Sequence, residues 1–174
     1  MRAVVALLFG LLLAVPAFAG APEPYVADCS SSVYGDLGRE WKERALVAGN
    51  VAFVGMKDGY EEWRPPGPGS WPVKVLVVVE PSAAARVTIA ARSRDHAALG
   101  YNRIRHEGRG VPLARGTRGV VFRACRREGS REPWNRGTQF AGYFLVAGAR
   151  CVHVDVATQG RVLRRKLSFG ARCA

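Results

Sequence analysis

The sequence contains few of the residues and motifs on which enzyme and metal sites depend. It has 3 histidines and 4 cysteines among 174 residues. It has no G-x-S-x-G segment, which would place a nucleophilic serine on a strand-to-helix turn. No two cysteines have the C-x-x-C spacing that structural zinc sites favour, and no nucleic-acid-binding motif is present. These absences argue against a zinc site, a serine-hydrolase elbow and a nucleic-acid module.

Lysine is scarce although the chain is strongly basic. The 26 Lys and Arg residues against 14 Asp and Glu give a formal net charge of +12. The lysines are Lys42, Lys57, Lys74 and Lys166. Two explanations stay open: GC-rich coding that replaces lysine by arginine, or attraction to a polyanion such as a wall polymer or an acidic lipid surface.

An apolar run long enough to span a bilayer is also missing. The longest run, residues 3–15, has about 13 residues, whereas a transmembrane helix needs about 20. It follows Arg2 and ends at Pro16, and small residues occupy the positions that a signal peptidase recognises. The pattern predicts a signal peptide over residues 1–19 and a single domain over residues 20–174, secreted without a transmembrane anchor.

The mature chain shows strand-like alternation rather than helical periodicity. Residues 36–48 have apolar positions spaced for a helix, but glycines bracket them, and we favour a strand or an irregular approach. The predicted strands are residues 51–54, 73–80, 86–92, 99–106, 120–125, 138–146, 150–157 and 162–169. This pattern predicts an all-β protein, an antiparallel β-sandwich (Ig-like or similar) of about seven or eight strands.

The four cysteines of an exported chain predict two disulfides, with three possible pairings. Cys125 ends one predicted strand and Cys151 begins another, and the outer members of such a three-strand set can lie close together. Cys29 and Cys173 lie near the two ends of the mature chain. We therefore predict the pairs Cys125–Cys151 and Cys29–Cys173.

Two long loops, residues 60–71 and 126–137, interrupt the strands. Their aromatic residues are candidate ligand-binding residues: Tyr60, Trp63, Trp71 and Trp134. Exposed rings on loops stack on sugars or anchor a protein partner. The alternative is that the loops fold back and cap the sandwich with these rings.

Basic residues crowd the last predicted strand. Arg164, Arg165 and Lys166 are candidate ligands for a polyanion. Arg164 and Lys166 share one strand face with Val162, so the basic stripe does not run the full length of that face. Protection of an edge strand against aggregation is the alternative explanation for these charges.

Two groups of polar residues are candidates for a hydrolytic site. They are His153, Asp155 and Ser168 in predicted strands, and Asp58, Glu61 and Glu62 in a loop. A triad requires a nucleophile within reach of the histidine, and a glycosidase requires two carboxyls facing each other across a sugar. A polar strand face and a solvated loop are the simpler interpretations, so we name no catalytic residue.

Several short segments of the sequence match the pattern of a known group of proteins. They are VFRAC at 121–125, TQFAGYF at 138–144, RCV at 150–152, FGARC at 169–173, and Trp41 followed by GNVAF at 49–53. In these segments the chain resembles an uncharacterised family of small exported, disulfide-bonded proteins of high-GC bacteria. The resemblance covers most of the mature chain and implies an exported, disulfide-bonded β domain. It carries over no catalytic residue.

These observations predict a secreted, non-enzymatic binding or interaction module at the cell envelope, with no metal and no cofactor. The expected partners are an envelope polyanion, a carbohydrate or another secreted protein, and nucleic acid is not expected. The alternative is a secreted hydrolase with an acidic or His153-based site in a cleft between loops. Convergence of polar groups in one pocket distinguishes the two classes.

Overall fold

Ten β-strands form the frame of the part of the chain that the structure, a computed structural model, describes: residues 24–102, 110–126 and 137–173. The strands are β1 (Tyr25–Ala27), β2 (Leu46–Ala48), β3 (Val51–Phe53), β4 (Ser70–Val79), β5 (Ala84–Ile89), β6 (Ala97–Gly100), β7 (Gly119–Arg123), β8 (Thr138–Ala147), β9 (Arg150–Thr158) and β10 (Arg161–Phe169). Short 3₁₀ turns cover Cys29–Ser31, Ala91–Ser93 and Leu113–Arg115. The predicted all-β sandwich is confirmed.

The first sheet has the strand order β2-β3-β4-β8-β6, with antiparallel neighbours throughout. Its centre is the pair β4 and β8, which match along their whole length from Ser70 opposite Ala147 to Val79 opposite Thr138. Residues 39–44 form turns that lead into β2, so the expectation of a strand or an irregular approach there is confirmed.

The second sheet has the strand order β1-β7-β5-β9-β10. All its neighbours are antiparallel except β1 and β7, which run parallel. The hairpin between β9 and β10 turns on Gln159 and Gly160, both with positive φ, as a two-residue turn that matches strand twist requires. The strands predicted from the sequence did not include β1, which has three residues.

The core lies between the two sheets and is built by the alternation read from the sequence. Val152, Val154 and Val156 of β9 are fully buried. Phenylalanines from both sheets meet at the centre: the ring centroids of Phe122 and Phe140 are 5.2 Å apart. Such burial of large rings is a major source of stability in a small domain.

Two parts of the outer face of the first sheet are covered by other parts of the chain. Trp41 is buried against Ala52 and Val78 on one side, and Val111 packs with Ala98 and Leu145 on another. Trp41 belongs to the turns before β2, and Val111 precedes the 3₁₀ turn Leu113–Arg115. The first sheet therefore buries apolar residues on both of its faces.

The disulfides are Cys29–Cys125 and Cys151–Cys173, so both predicted pairs are wrong. Strands β7 and β9 lie on the two sides of β5 and run parallel to each other. Cys125 follows the end of β7, whereas Cys151 is the second residue of β9, so they lie at opposite ends of the sheet. The register separates them by about ten residue positions, roughly 30 Å, whereas a disulfide requires Cα atoms within about 7 Å.

Strand direction also explains the observed pairs. Because β1 is parallel to β7, Cys29 and Cys125 leave the sheet at the same end, with Cα atoms 5.5 Å apart. Because β10 is antiparallel to β9, its end returns Cys173 to the start of β9, where Cys151 lies at 5.1 Å. The predicted framework of two disulfides is confirmed, while its connectivity is corrected.

Within the described ranges, no helix has the length and apolar character that crossing a membrane would require.

Candidate functional site

The charged residues of the strands are concentrated in one sheet. The strands of the second sheet carry the cationic residues Arg86, Arg123, Arg150, Arg161, Arg164, Arg165 and Lys166. Asp155 is the one carboxylate in those five described strands. The five strands of the first sheet contain a single charged residue, Lys74. Four of these cations alternate with inward residues and lie on the outer face of the second sheet: Arg86, Arg123, Arg164 and Lys166. That face is therefore basic, while the strands of the first sheet are nearly neutral.

Alternation and register decide which of these side chains share a surface. The valines of β9 point into the core, so His153 and Asp155 point outward. The register places His153 opposite Lys166 and Asp155 opposite Arg164. Asp155 Oδ1 and Arg164 Nε are 4.0 Å apart, and the Arg164 side chain is 85% exposed. An ion pair as exposed as this one contributes little to stability. Because its side chain is exposed, Arg164 remains accessible to a ligand.

A cleft of about 410 Å³ lies on this surface beside the 3₁₀ turn Ala91–Ser93. Both backbone groups of His153 hold the turn in place: the His153 N–H donates to Ser93 Oγ at 3.0 Å, and the His153 carbonyl accepts from Ala90 N at 3.0 Å. The polar residues that line the cleft are Arg92, His153, Asp155, Arg164, Arg165 and Lys166. We call this feature the histidine cleft.

The imidazole of His153 has an environment that disfavours its charged form. Its pKa is lowered, first by burial and then by the nearby charges of Arg92 and Lys166, with His96 adding to the effect; Asp155 opposes them. Its Nε2 lies 3.8 Å from Cys151 Sγ of the Cys151–Cys173 disulfide. At neutral pH the cleft therefore combines a neutral imidazole with fixed cations.

The cleft lacks the pairing that a triad would need. Ser168, the candidate nucleophile, lies opposite Cys151 rather than His153, and its Oγ accepts the N–H of Cys173 at 3.3 Å. Glu61 is paired with Arg172, at 2.9 Å between Nε and Oε2, and neither it nor Glu62 lines the cleft. Polar groups do converge around His153, but they are mainly cations, which suit the binding of an anion.

The loop aromatics pack onto the sandwich. Tyr60 and Trp63 are partly buried against the core. The Tyr60 ring lies 6.3 Å from that of Phe169, and its hydroxyl donates to the Lys74 carbonyl at 3.2 Å. Trp71 Nε1 donates to the Gly67 carbonyl at 2.9 Å. These three rings support the loop, as in the alternative stated above, while Trp134 lies outside the described residues.

Arg165 differs from its two neighbours in the basic triplet. Its Nε donates to the Val47 carbonyl of β2 at 3.3 Å, so it bridges the edges of the two sheets. Arg164 and Lys166 point outward on the opposite side of β10. The triplet predicted from the sequence therefore divides into two surface residues and one residue that also links the sheets.

Among the arginines of the basic surface, Arg86 and Arg92 were not predicted from the sequence as site residues. Arg86 lies on the exposed side of β5, between the buried Ala85 and Val87, and its alternation with apolar residues is a signal that could have found it. Arg92 belongs to the 3₁₀ turn beside His153. Its position has no local signal, because the contact joins segments about sixty residues apart in sequence.

Comparison with known proteins finds no matching family model, no matching curated protein and no matching solved structure. In the part of the chain that the structure describes, no three His, Cys, Asp or Glu residues are grouped so that they could hold a metal ion.

Proposed function

We propose that this protein is a secreted, non-enzymatic binding module that holds an anionic polymer of the cell envelope against the outer face of its second sheet. The observation that carries the proposal is the segregation of charge among the described strands. The strands of the second sheet hold all of these strand cations except Lys74, and the outer face of the first sheet is partly covered by its own chain. Repeated phosphate or carboxylate groups are the natural ligands of such a surface.

Coding bias does not account for this arrangement. A genome-wide preference for arginine over lysine would change the residue type at cationic positions, but it would not place those positions in one sheet. Lys74 is the one cation in the strands of the first sheet, although β4 and β8 are the longest strands of the described part.

Protection of an edge strand explains only part of the surface. Strand β10 is an edge of the second sheet, and Arg164 and Lys166 would discourage pairing with another chain there. Arg86 belongs to β5, which is the central strand, and Arg92 belongs to a turn above the sheet. Their positions favour a binding surface that extends from the edge toward the centre.

Binding to a poly(glycerol phosphate) polymer, measured by calorimetry over a series of salt concentrations, tests the proposal. We expect the affinity to fall steeply with salt, because exposed charges are screened beyond about 8–10 Å at physiological ionic strength. The triple variant Arg92→Gln, Arg164→Gln, Lys166→Gln should bind roughly tenfold more weakly, at about 0.5 kcal/mol for each exposed contact.

The matched control is the variant Arg39→Gln, Arg44→Gln, Lys57→Gln. These three cations are exposed and lie outside the second sheet, so the control has the same net charge as the test variant. It should keep most of the affinity, and an uncharged dextran should not bind. Equal weakening of both variants, or no binding to the polymer at low salt, would overturn the proposal.

A further inference from the structure

A second and larger cleft lies at β5 and β7, beside the segment from Leu113 to Arg118. It has a volume of about 780 Å³, within the range of roughly 300–1,000 Å³ that is typical of small-molecule sites. Its polar lining consists of Arg86, Arg94, Arg118, Thr88, Thr117 and Asn102, and no carboxylate is among the described residues that line it. We call it the arginine cleft.

Two of its three guanidinium groups are held in place by backbone carbonyls. Arg118 Nη1 donates to the carbonyl of Ala97 at 2.9 Å and also to the carbonyl of Arg94. Arg94 Nε donates to the carbonyl of Ile89 at 3.4 Å. A guanidinium has five N–H donors, so these bonds fix the groups and use only part of their donor capacity. Donors fixed before binding lose less entropy when a ligand arrives.

The third guanidinium lies over a glycine. A Cβ added to Gly119 would lie 3.7 Å from Arg86 Nε and 3.4 Å from Thr88 Oγ1. The missing side chain thus leaves the space into which Arg86 extends from β5 across β7. Tyr25 and Leu113 also line the cleft and contribute apolar surface. The cleft therefore combines three guanidinium groups, a bare glycine backbone and apolar side chains.

We infer that the arginine cleft binds a small organic anion, in which a carboxylate or phosphate group contacts the arginines and an uncharged body lies against Tyr25 and Leu113. Planar guanidinium groups match both kinds of oxyanion with paired hydrogen bonds. This site goes beyond the proposed function: it shares Arg86 with the basic surface, but it needs no polymer and uses none of the residues of the histidine cleft.

Titration with defined probes tests the inference: glycerol phosphate, glucuronate and inorganic phosphate, with glycerol and glucose as uncharged counterparts. Backbone amide shifts in NMR spectra report where each probe binds. We expect saturable shifts at residues 86–88 and 116–119 with glycerol phosphate or glucuronate, and none with glycerol or glucose. The stronger of the two organic probes identifies phosphate or carboxylate as the preferred group, and inorganic phosphate should bind more weakly than glycerol phosphate.

Two variants probe the cleft in different ways. Arg86→Gln removes one exposed guanidinium and should weaken binding roughly tenfold to a hundredfold, as expected for hydrogen bonds to a charged group. Gly119→Val keeps every charge and fills the space over the bare glycine backbone, and it should abolish binding. The backbone of Gly119 does not have a positive φ, and a β-branched residue suits a strand. Thermal unfolding checks that both variants remain folded.

The triple variant Arg92→Gln, Arg164→Gln, Lys166→Gln serves here as the control and should bind the small anion unchanged. That result separates the two proposals, since this variant is expected to lose affinity for the polymer. The inference would be overturned if neither glycerol phosphate nor glucuronate showed saturable binding at low salt. So would equal weakening by Gly119→Val and by the control, because it would show attraction by net charge without a defined site.

Discussion

At the scale of single residues, His153 makes the charge of the basic surface dependent on pH. Burial and the neighbouring cations Arg92 and Lys166 lower its pKa below the ordinary value of 6.5. The folded protein therefore holds His153 neutral at pH 7 and takes up a proton only below pH 6.5. The pKa of His153 is 6.5 in the unfolded chain and lower in the folded protein. Between these two values the unfolded chain binds more protons than the folded protein, so folding stability falls as the pH falls through this window.

Protonation of His153 should strengthen polymer binding. We expect the affinity for poly(glycerol phosphate) to rise as the pH is lowered from 7.5 to 5, because a further positive charge enters the histidine cleft while the phosphodiesters remain ionised. The variant His153→Gln should lose this pH-dependent increment and keep the affinity seen at pH 7.5. Calorimetry at several pH values measures both. An unchanged pH profile in the variant would assign the titration to another group.

Gly142 shows how one missing side chain allows a large ring into the core. A Cβ at this position would lie 2.3 Å from Cδ1 of Tyr101, and the ring cannot move freely. The Tyr101 hydroxyl donates to the Val75 carbonyl at 2.8 Å, and the centroid of the Tyr101 ring lies 5.0 Å from that of Phe122. The contact joins β8 to the segment after β6.

The variant Gly142→Ala should therefore destabilise the fold by about 1–3 kcal/mol, the usual cost of overpacking a well-packed core. Urea unfolding gives the free energy of unfolding. Ala141→Ser is the matched control, because Ala141 is the next residue of β8 and its side chain is exposed. A loss of less than about 0.5 kcal/mol in Gly142→Ala would show that the ring has room to shift.

At the scale of secondary-structure elements, strand direction determines the disulfide connectivity. The parallel pair β1 and β7 brings Cys29 to Cys125, and the hairpin of β9 and β10 brings Cys173 to Cys151. The first bridge attaches the short strand β1, which would otherwise be held by three residue pairs. The second attaches the chain that follows β10.

The two bridges should differ in their contribution to stability. The Cys29–Cys125 bridge spans a sequence separation of 96 and the Cys151–Cys173 bridge a separation of 22. By reducing the entropy of the unfolded chain, the bridge that closes the longer loop should raise the free energy of unfolding by about 4–5 kcal/mol, and the other bridge by about 3.5 kcal/mol. Paired Cys→Ala variants compared by urea unfolding test this order. Peptide mapping without reduction should recover the same two pairs, and a Cys125–Cys151 peptide would contradict the structure.

Strand positions could largely be predicted from the sequence, with differences at the ends. Strand β4 begins at Ser70, before the predicted start at residue 73, because Ser70 and Trp71 still pair with β8. Strand β5 ends at Ile89, before the predicted end at residue 92, because Ala91–Ser93 forms the 3₁₀ turn of the histidine cleft. Both differences come from contacts with distant segments, which local alternation does not encode.

At the scale of the whole molecule, the positive charge of the described strands is divided unequally between the two sheets. Cations dominate the strands of the second sheet, while the segment 36–44 that leads to the first sheet holds three acidic and three basic residues and is neutral. Such a division orients a protein as it approaches a polyanion and increases the rate of encounter at low salt.

Export is the remaining prediction at this scale. We expect the protein recovered from outside the cell to begin at or near Gly20, because residues 1–19 have the charge, apolar run and small-residue site of a signal peptide. Intact-mass spectrometry of the secreted protein measures this. Retention of Met1, or a lipid on Cys29, would contradict it; the bond between Cys29 and Cys125 leaves no thiol for a lipid.

The sequence by itself determined the β class, the approximate position of most strands, the inward valines of β9 and the presence of two disulfides. These features depend on period-two alternation and residue type, which are local properties of the chain. Only the tertiary structure decided that Cys29 meets Cys125, that Arg92 joins His153, and that Arg86 extends over Gly119. These contacts depend on the order and direction of strands in the second sheet, which arise from pairing between segments far apart in the chain.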